Sequence, residues 1–130
     1  MNRIPRQSPL ERYATKGELG ATEAENLIHL EVGERYRAIH EAAIDRVGVA
    51  NWEPRVSGGM ADATILHSSR QKLRRIEEQL GRVQARGLRK VCVEGYSANE
   101  WARQEGETTK GAGLAMLRVA LRELHRILAA

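Results

Sequence analysis

Phenylalanine is absent from this chain, and aromatic residues make up only 4% of its 130 residues. Its core must come from Leu, Ile, Val and Ala, a composition that favours a helical bundle over a β-sandwich or barrel. Cysteine occurs once, at Cys92, which excludes an internal disulfide and fits a reducing cytoplasm. The four histidines, His29, His40, His67 and His125, lack metal-ligand spacing, so with a single cysteine a zinc site is not expected, nor any other metal or cofactor. No apolar run reaches the length of a membrane span. Residues 1–9 carry no apolar stretch of the kind a signal peptide needs. The expected location is therefore the cytoplasm.

What is present is charge, at 29% of residues, with a net +4. Residues 1–81 hold 12 Lys+Arg and 12 Asp+Glu, whereas residues 82–130 hold 9 and 5, so the whole excess lies in the C-terminal part. Clustered positive charge suits a polyanion such as nucleic acid. An excess this small also fits an ordinary solvated surface.

The length suits one all-α domain of residues 1–130, divided into a loose arm (1–8), a helical N-terminal part (9–81) and a C-terminal part (82–130). Ser8 caps a short helix opened by Pro9, which runs to about Lys16 and is ended by Gly17 and Gly20. Thr22-Glu-Ala-Glu25 is a capping-box pattern opening the longest helix, over 22–47. Its buried stripe is read as Ile28, Val32, Tyr36, Ile39, Ala43 and Val47. Gly33 is a weakness there, costing about 1 kcal/mol against Ala unless something packs closely on it. A loop over 48–59 is expected to be anchored by Trp52 and Val56. A third helix follows over 60–80, with Ile65, Leu66, Leu73, Ile76 and Leu80 apolar and Gly81 at its end. A fourth runs over 83–94, buries Leu88, Val91 and Cys92, and stops at Gly95.

The last forty residues are the most informative. Ser97-Ala-Asn-Glu100 is a second capping box, starting a short helix over 97–104 with Trp101 and Ala102 facing inward. A tight turn follows over 106–109, in which Gly106 adopts positive φ readily. Thr109 is expected to cap the final helix. Leu114, Leu117, Leu121, Leu124 and Leu128 recur three and four apart as one core stripe. This is the layout of a helix-turn-helix, whose second helix enters the DNA major groove while the first braces across the backbone. The expected DNA-contacting residues are Ser97, Asn99, Arg103, Thr108, Thr109, Lys110, Arg118 and Arg122. Lys110, Arg118 and Arg122 are expected to share one exposed face with Thr108 and Thr109. The start of the second helix, Lys110-Gly-Ala-Gly-Leu-Ala-Met116, offers few side chains for bidentate bonds to base edges. Contact there falls to phosphates, through Lys110, the two threonines and the helix N-terminus.

The strings Val91-Cys-Val-Glu-Gly-Tyr-Ser-Ala-Asn-Glu-Trp-Ala102, Thr109-Lys-Gly-Ala112 and Leu117-Arg-Val-Ala-Leu-Arg-Glu-Leu124 resemble region four of bacterial sigma factors. Over most of its length the chain also resembles an alphaproteobacterial and phage-associated domain of uncharacterised function, found at the C-terminus of the gene transfer agent activator. That resemblance rests on Leu10-Glu-Arg12, Lys16-Gly-Glu-Leu19, Gly33-Glu-Arg-Tyr-Arg37, Ala61-Asp-Ala63 and the segment 91–124. Gly33-Glu-Arg-Tyr-Arg37 is the most specific of these, because helix formation alone does not require it. The resemblance implies a transcription regulator of phage or prophage type, acting at a promoter on double-stranded DNA or on RNA polymerase, and hence located at the bacterial nucleoid.

No enzyme is expected. Cys92 sits between valines as a core residue, Ser68, Ser69 and Ser97 have no adjacent base, and the Gly58-Gly59 and Gly111–Gly113 glycines lack a phosphate-loop lysine. Glu77 and Glu78 read as solvated partners along a helix face. Arg70, Lys72, Arg74 and Arg75 form a basic cluster that can extend a nucleic-acid face. The competing reading is a protein–protein adaptor, a phage small-terminase-like or polymerase-binding protein that keeps the helix-turn-helix without reading bases. A homo-oligomer fits either reading.

Overall fold

In the computed structural model, residues 8–44 and 59–129 are described, those at 44 and 59–66 by their backbone alone. The described residues form an all-α bundle without strands. The helices are α1 (Pro9–Thr15), α2 (Glu23–Ile44), α3 (Gly59–Leu80), α4 (Arg82–Leu88), α5 (Ala98–Gln104) and α6 (Ala112–Ala129). α4 runs on into one wider π-helical turn, Arg89–Val93, closed by the Glu94 N–H donating to the Arg89 carbonyl at 2.9 Å. The expected 22–47 helix is observed to Ile44. Val47, the 48–58 loop with Trp52 and Val56, and the side chains of Ile65 and Leu66 lie outside the described residues.

Two capping boxes form: Ser8 accepts from Glu11 N–H while Glu11 accepts from Ser8 N–H, and Ser97 and Glu100 repeat the exchange. Each box satisfies two otherwise unpaired N–H groups and fixes where its short helix begins. The expected Thr22–Glu25 box forms by half, since Thr22 Oγ1 accepts from Glu25 N–H but the Glu25 carboxylate reaches one residue further back, to Ala21 N–H. α6 packs on α2, α3, α4 and α5, and its Leu117, Leu121 and Leu124 are fully buried, with Leu114 and Leu128 half-buried at the ends of the stripe. Around them lie Leu10, Leu19, Tyr36, Leu88, Val91 and Trp101 in one continuous core. Cys92 belongs to it, and full burial pushes its thiol up to about 12. The thiolate that nucleophilic chemistry requires is therefore scarce at neutral pH.

The buried face of α2 differs from the expected stripe. Ile28 is exposed, and Asn26, His29 and His40 are buried beside Val32, Tyr36 and Ala43. Two of these polar residues are buried because they tie down the α1–α2 connection. Asn26 accepts from Leu19 N–H and donates to the Ala14 carbonyl, both at 2.9 Å. His29 Nδ1 lies 2.7 Å from the Leu19 carbonyl, which only accepts, so Nδ1 carries the proton. Glu77, expected to be solvated, is half-buried and accepts from the Tyr36 hydroxyl at 3.1 Å. The Gly33-Glu-Arg-Tyr-Arg37 block has a packing reason. A Cβ at Gly33 would stand 2.6 Å from Leu10 Cδ2, so α1 seats itself where α2 lacks a side chain.

Candidate nucleic-acid interface

α5 is held from three sides. The Ala98 N–H donates to the Tyr13 hydroxyl at 3.0 Å, joining it to α1. Trp101 is 1% exposed, and its Nε1 donates to Glu105 Oε2 at 3.1 Å. Arg86 on α4 grips the same carboxylate with two bonds, at 2.7 and 2.9 Å. That bidentate contact is the main reason the Glu105 carboxyl sits below the usual carboxylate range. Two glycines permit the close approach. A Cβ at Gly87 would run into the Trp101 indole, and a Cβ at Gly113 into the Ala98 carbonyl. The start of α6 therefore crosses the start of α5 at backbone contact.

The turn between them is longer than expected. Glu107 N–H donates to the Ala102 carbonyl at 2.8 Å and Gly106 N–H to Arg103 at 3.1 Å, with Gly106 at φ 91°. This is the Schellman closure, and it needs a residue tolerant of the left-handed region. Thr109 does not cap α6. The Ala115 N–H donates to the carbonyl of Gly111, whose φ is 86°, so the helix starts from Gly111. Glycine at that position permits a left-handed entry that threonine would resist.

The sequence-expected contact residues fall into two groups. Asn99 and Arg103 are exposed one turn apart on α5, and Thr108, Thr109 and Lys110 are exposed in the turn. Neither Arg103 nor Lys110 forms an ion pair among the described residues. Ser97 is half-buried, and its hydroxyl oxygen is occupied as the α5 cap. Arg118 and Arg122 turn elsewhere. Arg118 is half-buried and its Nε donates to the Glu18 carbonyl at 2.7 Å, tying α6 to the α1–α2 connection. Arg122 is exposed, 3.9 Å from Glu25 at the start of α2. The expected single face of Lys110, Arg118 and Arg122 is thus divided, because the N-terminal part supplies acceptors for the two arginines.

Other features were not legible as site residues. Lys90 lies 5.2 Å over the Tyr96 ring immediately before α5, where a half-buried cation and an exposed phenol adjoin the Ser97 cap. The outward face of α6 beyond the turn is apolar. Ala115 and Val119 are exposed there, and with Val83, Gln84, Met116 and the Trp101 edge they line a groove of about 300 Å³. The expected basic cluster on α3 is partly spent internally, since Arg70 Nε donates to the Ala43 carbonyl at 2.9 Å. Arg74, with Arg82, Arg86 and Arg89, lines a cleft of about 520 Å³ that also contains Glu77 and Glu78. With Glu105 on Arg86 and Glu94 3.6 Å from Arg89, that cleft is electrically balanced. Among the described residues no group of three His, Cys, Asp or Glu side chains is placed to hold a metal ion, and no helix is long and apolar enough to cross a membrane. No protein-family model, curated protein or solved structure matches the chain.

Proposed function

We propose that this protein is a DNA-binding transcription regulator of phage or prophage type that grips duplex DNA through α5, the following turn and the start of α6, and works with RNA polymerase. One observation carries the reading. Asn99, Arg103, Thr108, Thr109 and Lys110 are exposed together on the packed α5–turn–α6 unit, and the two cations among them form no ion pair among the described residues. Side chains of this kind hold a duplex by its phosphates and set the register of the helix that follows. The C-terminal location of the entire positive excess supports the same reading.

A salt titration with duplex DNA tests it. Binding through several phosphates falls by about 0.9 in log K per log salt for each phosphate neutralised. Affinity that is absent at low salt would reject the reading. It would favour a protein–protein adaptor, for which the apolar Ala115–Val119 face is the specific supporting observation.

A further inference from the structure

We infer that the outward face of α6 reads thymine methyl groups in the major groove, so that this protein prefers A·T-bearing steps without hydrogen-bonding the bases. This rests on the DNA reading above and specifies what the second helix would recognise.

From Gly111 to Arg122 the exposed residues are Gly111, Ala115 and Val119, and the one charged side chain between them, Arg118, is half-buried and turned to the Glu18 carbonyl. Val119 is 45% exposed and Val83 46%, two of the few large apolar side chains left open on the described surface. Beside them Met116, Trp101 and the half-buried Gln84 line the groove, and Trp101 itself is locked by Glu105 and by the missing side chain at Gly87. The apolar face is therefore rigid and preformed. Of the groups a duplex displays in its major groove, the thymine methyl is the apolar one, and alanine and other small apolar side chains meet it by contact. The charge around the face favours a polyanion over a neutral partner. Lys110 and Arg103 are exposed at its turn end and form no ion pair among the described residues. Cations on the phosphates and aliphatic contacts on the bases are complementary to one object, the floor and walls of an A·T-containing major groove.

Substituting uracil for thymine removes the methyl and nothing else from the base edge. The test compares the full chain on poly(dA-dT) and poly(dA-dU) at the same low salt, by fluorescence anisotropy, for the wild type and for Val119→Ser and Ala115→Ser. Burial of one methyl corresponds to about a fourfold change in affinity. Wild-type binding should therefore be weaker on the uracil polymer by at least that factor. The ratio should fall towards unity in both variants. Both positions are exposed, so the variants should melt as the wild type does, and circular dichroism checks this. Equal wild-type affinity for the two polymers overturns methyl reading and leaves the DNA reading standing. A thymine preference that persists unchanged in both variants overturns it too, by assigning the preference to groove shape. Absence of binding to either polymer removes the DNA reading and this inference with it, and returns the apolar face to a protein partner.

Discussion

The two parts of α6, before Arg118 and from Arg118 onward, carry different surfaces. The first exposes Ala115 beside Gly111 of the turn, and the neighbouring Lys110 forms no ion pair among the described residues. The second exposes Val119 but is rich in arginine, and each arginine meets the protein's own oxygens: Arg118 the Glu18 carbonyl, Arg122 the Glu25 carboxylate, and Arg126 the Glu123 carboxylate at 2.6 Å. Arginine on a helix next to a candidate DNA-binding turn is therefore not by itself a phosphate ligand. Where the fold supplies an acceptor nearby, the guanidinium is spent within the molecule. The half with fewer charges is the half left open to a partner.

The sharpest way to break this comparison is to ask whether α6 has an inner face common to both halves. Leu121→Ala should cost about 2–5 kcal/mol, since Leu121 is fully buried and its neighbours cannot close the cavity. An unaltered thermal midpoint would make the leucine stripe an interface for another chain. Next in size is the crossing of α5 and α6. Gly113→Ala drives a methyl group against the Ala98 carbonyl, a backbone atom that cannot swing aside, and should cost about 1–3 kcal/mol in a urea melt. Gly95→Ala is the control. It meets open space at φ 85° and carries only the smaller conformational penalty of about 1 kcal/mol.

The difference between the halves is sharpened by paired neutralisations. Arg118→Gln should lower stability by about 1 kcal/mol, the charge-assisted bond being partly solvated, and leave the salt dependence of DNA binding as it was. Lys110→Gln should do the reverse, with an unchanged melt and a salt slope reduced by about one. If Arg118→Gln lowered the slope and Lys110→Gln did not, the assignment of the two halves would have to be exchanged.

The smallest effect concerns acid. Burial, above all, holds the His40 imidazole below its ordinary value, and its Nδ1 is without a partner. The groups around it are Glu77 on α3, Arg89 and Glu94 at the π-turn, and Glu41 on α2. The unfolded chain takes up this proton more readily than the folded one. Stability is therefore full above the unfolded value near 6.5 and declines as pH falls below it. Thermal midpoints over about pH 5 to 7 should show this decline in the wild type, and a shallower one in His40→Leu. Glu25, Glu100 and Glu105 are held below the ordinary glutamate value by hydrogen bonds and contribute in a more acidic window. A flat profile across the histidine window would show that the imidazole is more solvated than its burial implies.

Much of the fold was legible because its signals are local. Ser8, Ser97 and Glu100 mark helix starts through bonds spanning three residues, Gly81 and Gly95 mark stops through their positive φ, and Leu117, Leu121 and Leu124 share a face by helical period alone. The face of α2 was misread because periodicity weighs hydrophobicity. Asn26 and His29 are buried for the sake of backbone groups seven to twelve positions away. The α6 cap was placed on Thr109 because threonine is the better side-chain cap, whereas the chain enters through a left-handed Gly111. Of the candidate site, the turn residues were legible as polar residues outside any apolar stripe. The outward apolar groove was not, because Val83 lies on a different helix from Val119 and Trp101 on a third.

The sequence by itself determined the helices, the Ser8 and Ser97 caps and the leucine face of α6, since each depends on residues within one or two turns of one another. It also placed the positive excess in the last forty-nine residues. Only the tertiary structure decided which of those charges remain available, because an acceptor one hundred positions away, the Glu18 carbonyl, occupies Arg118. It likewise decided what the glycines are for. Gly33, Gly87 and Gly113 are open positions until Leu10, Trp101 and Ala98 arrive from other helices to fill the space.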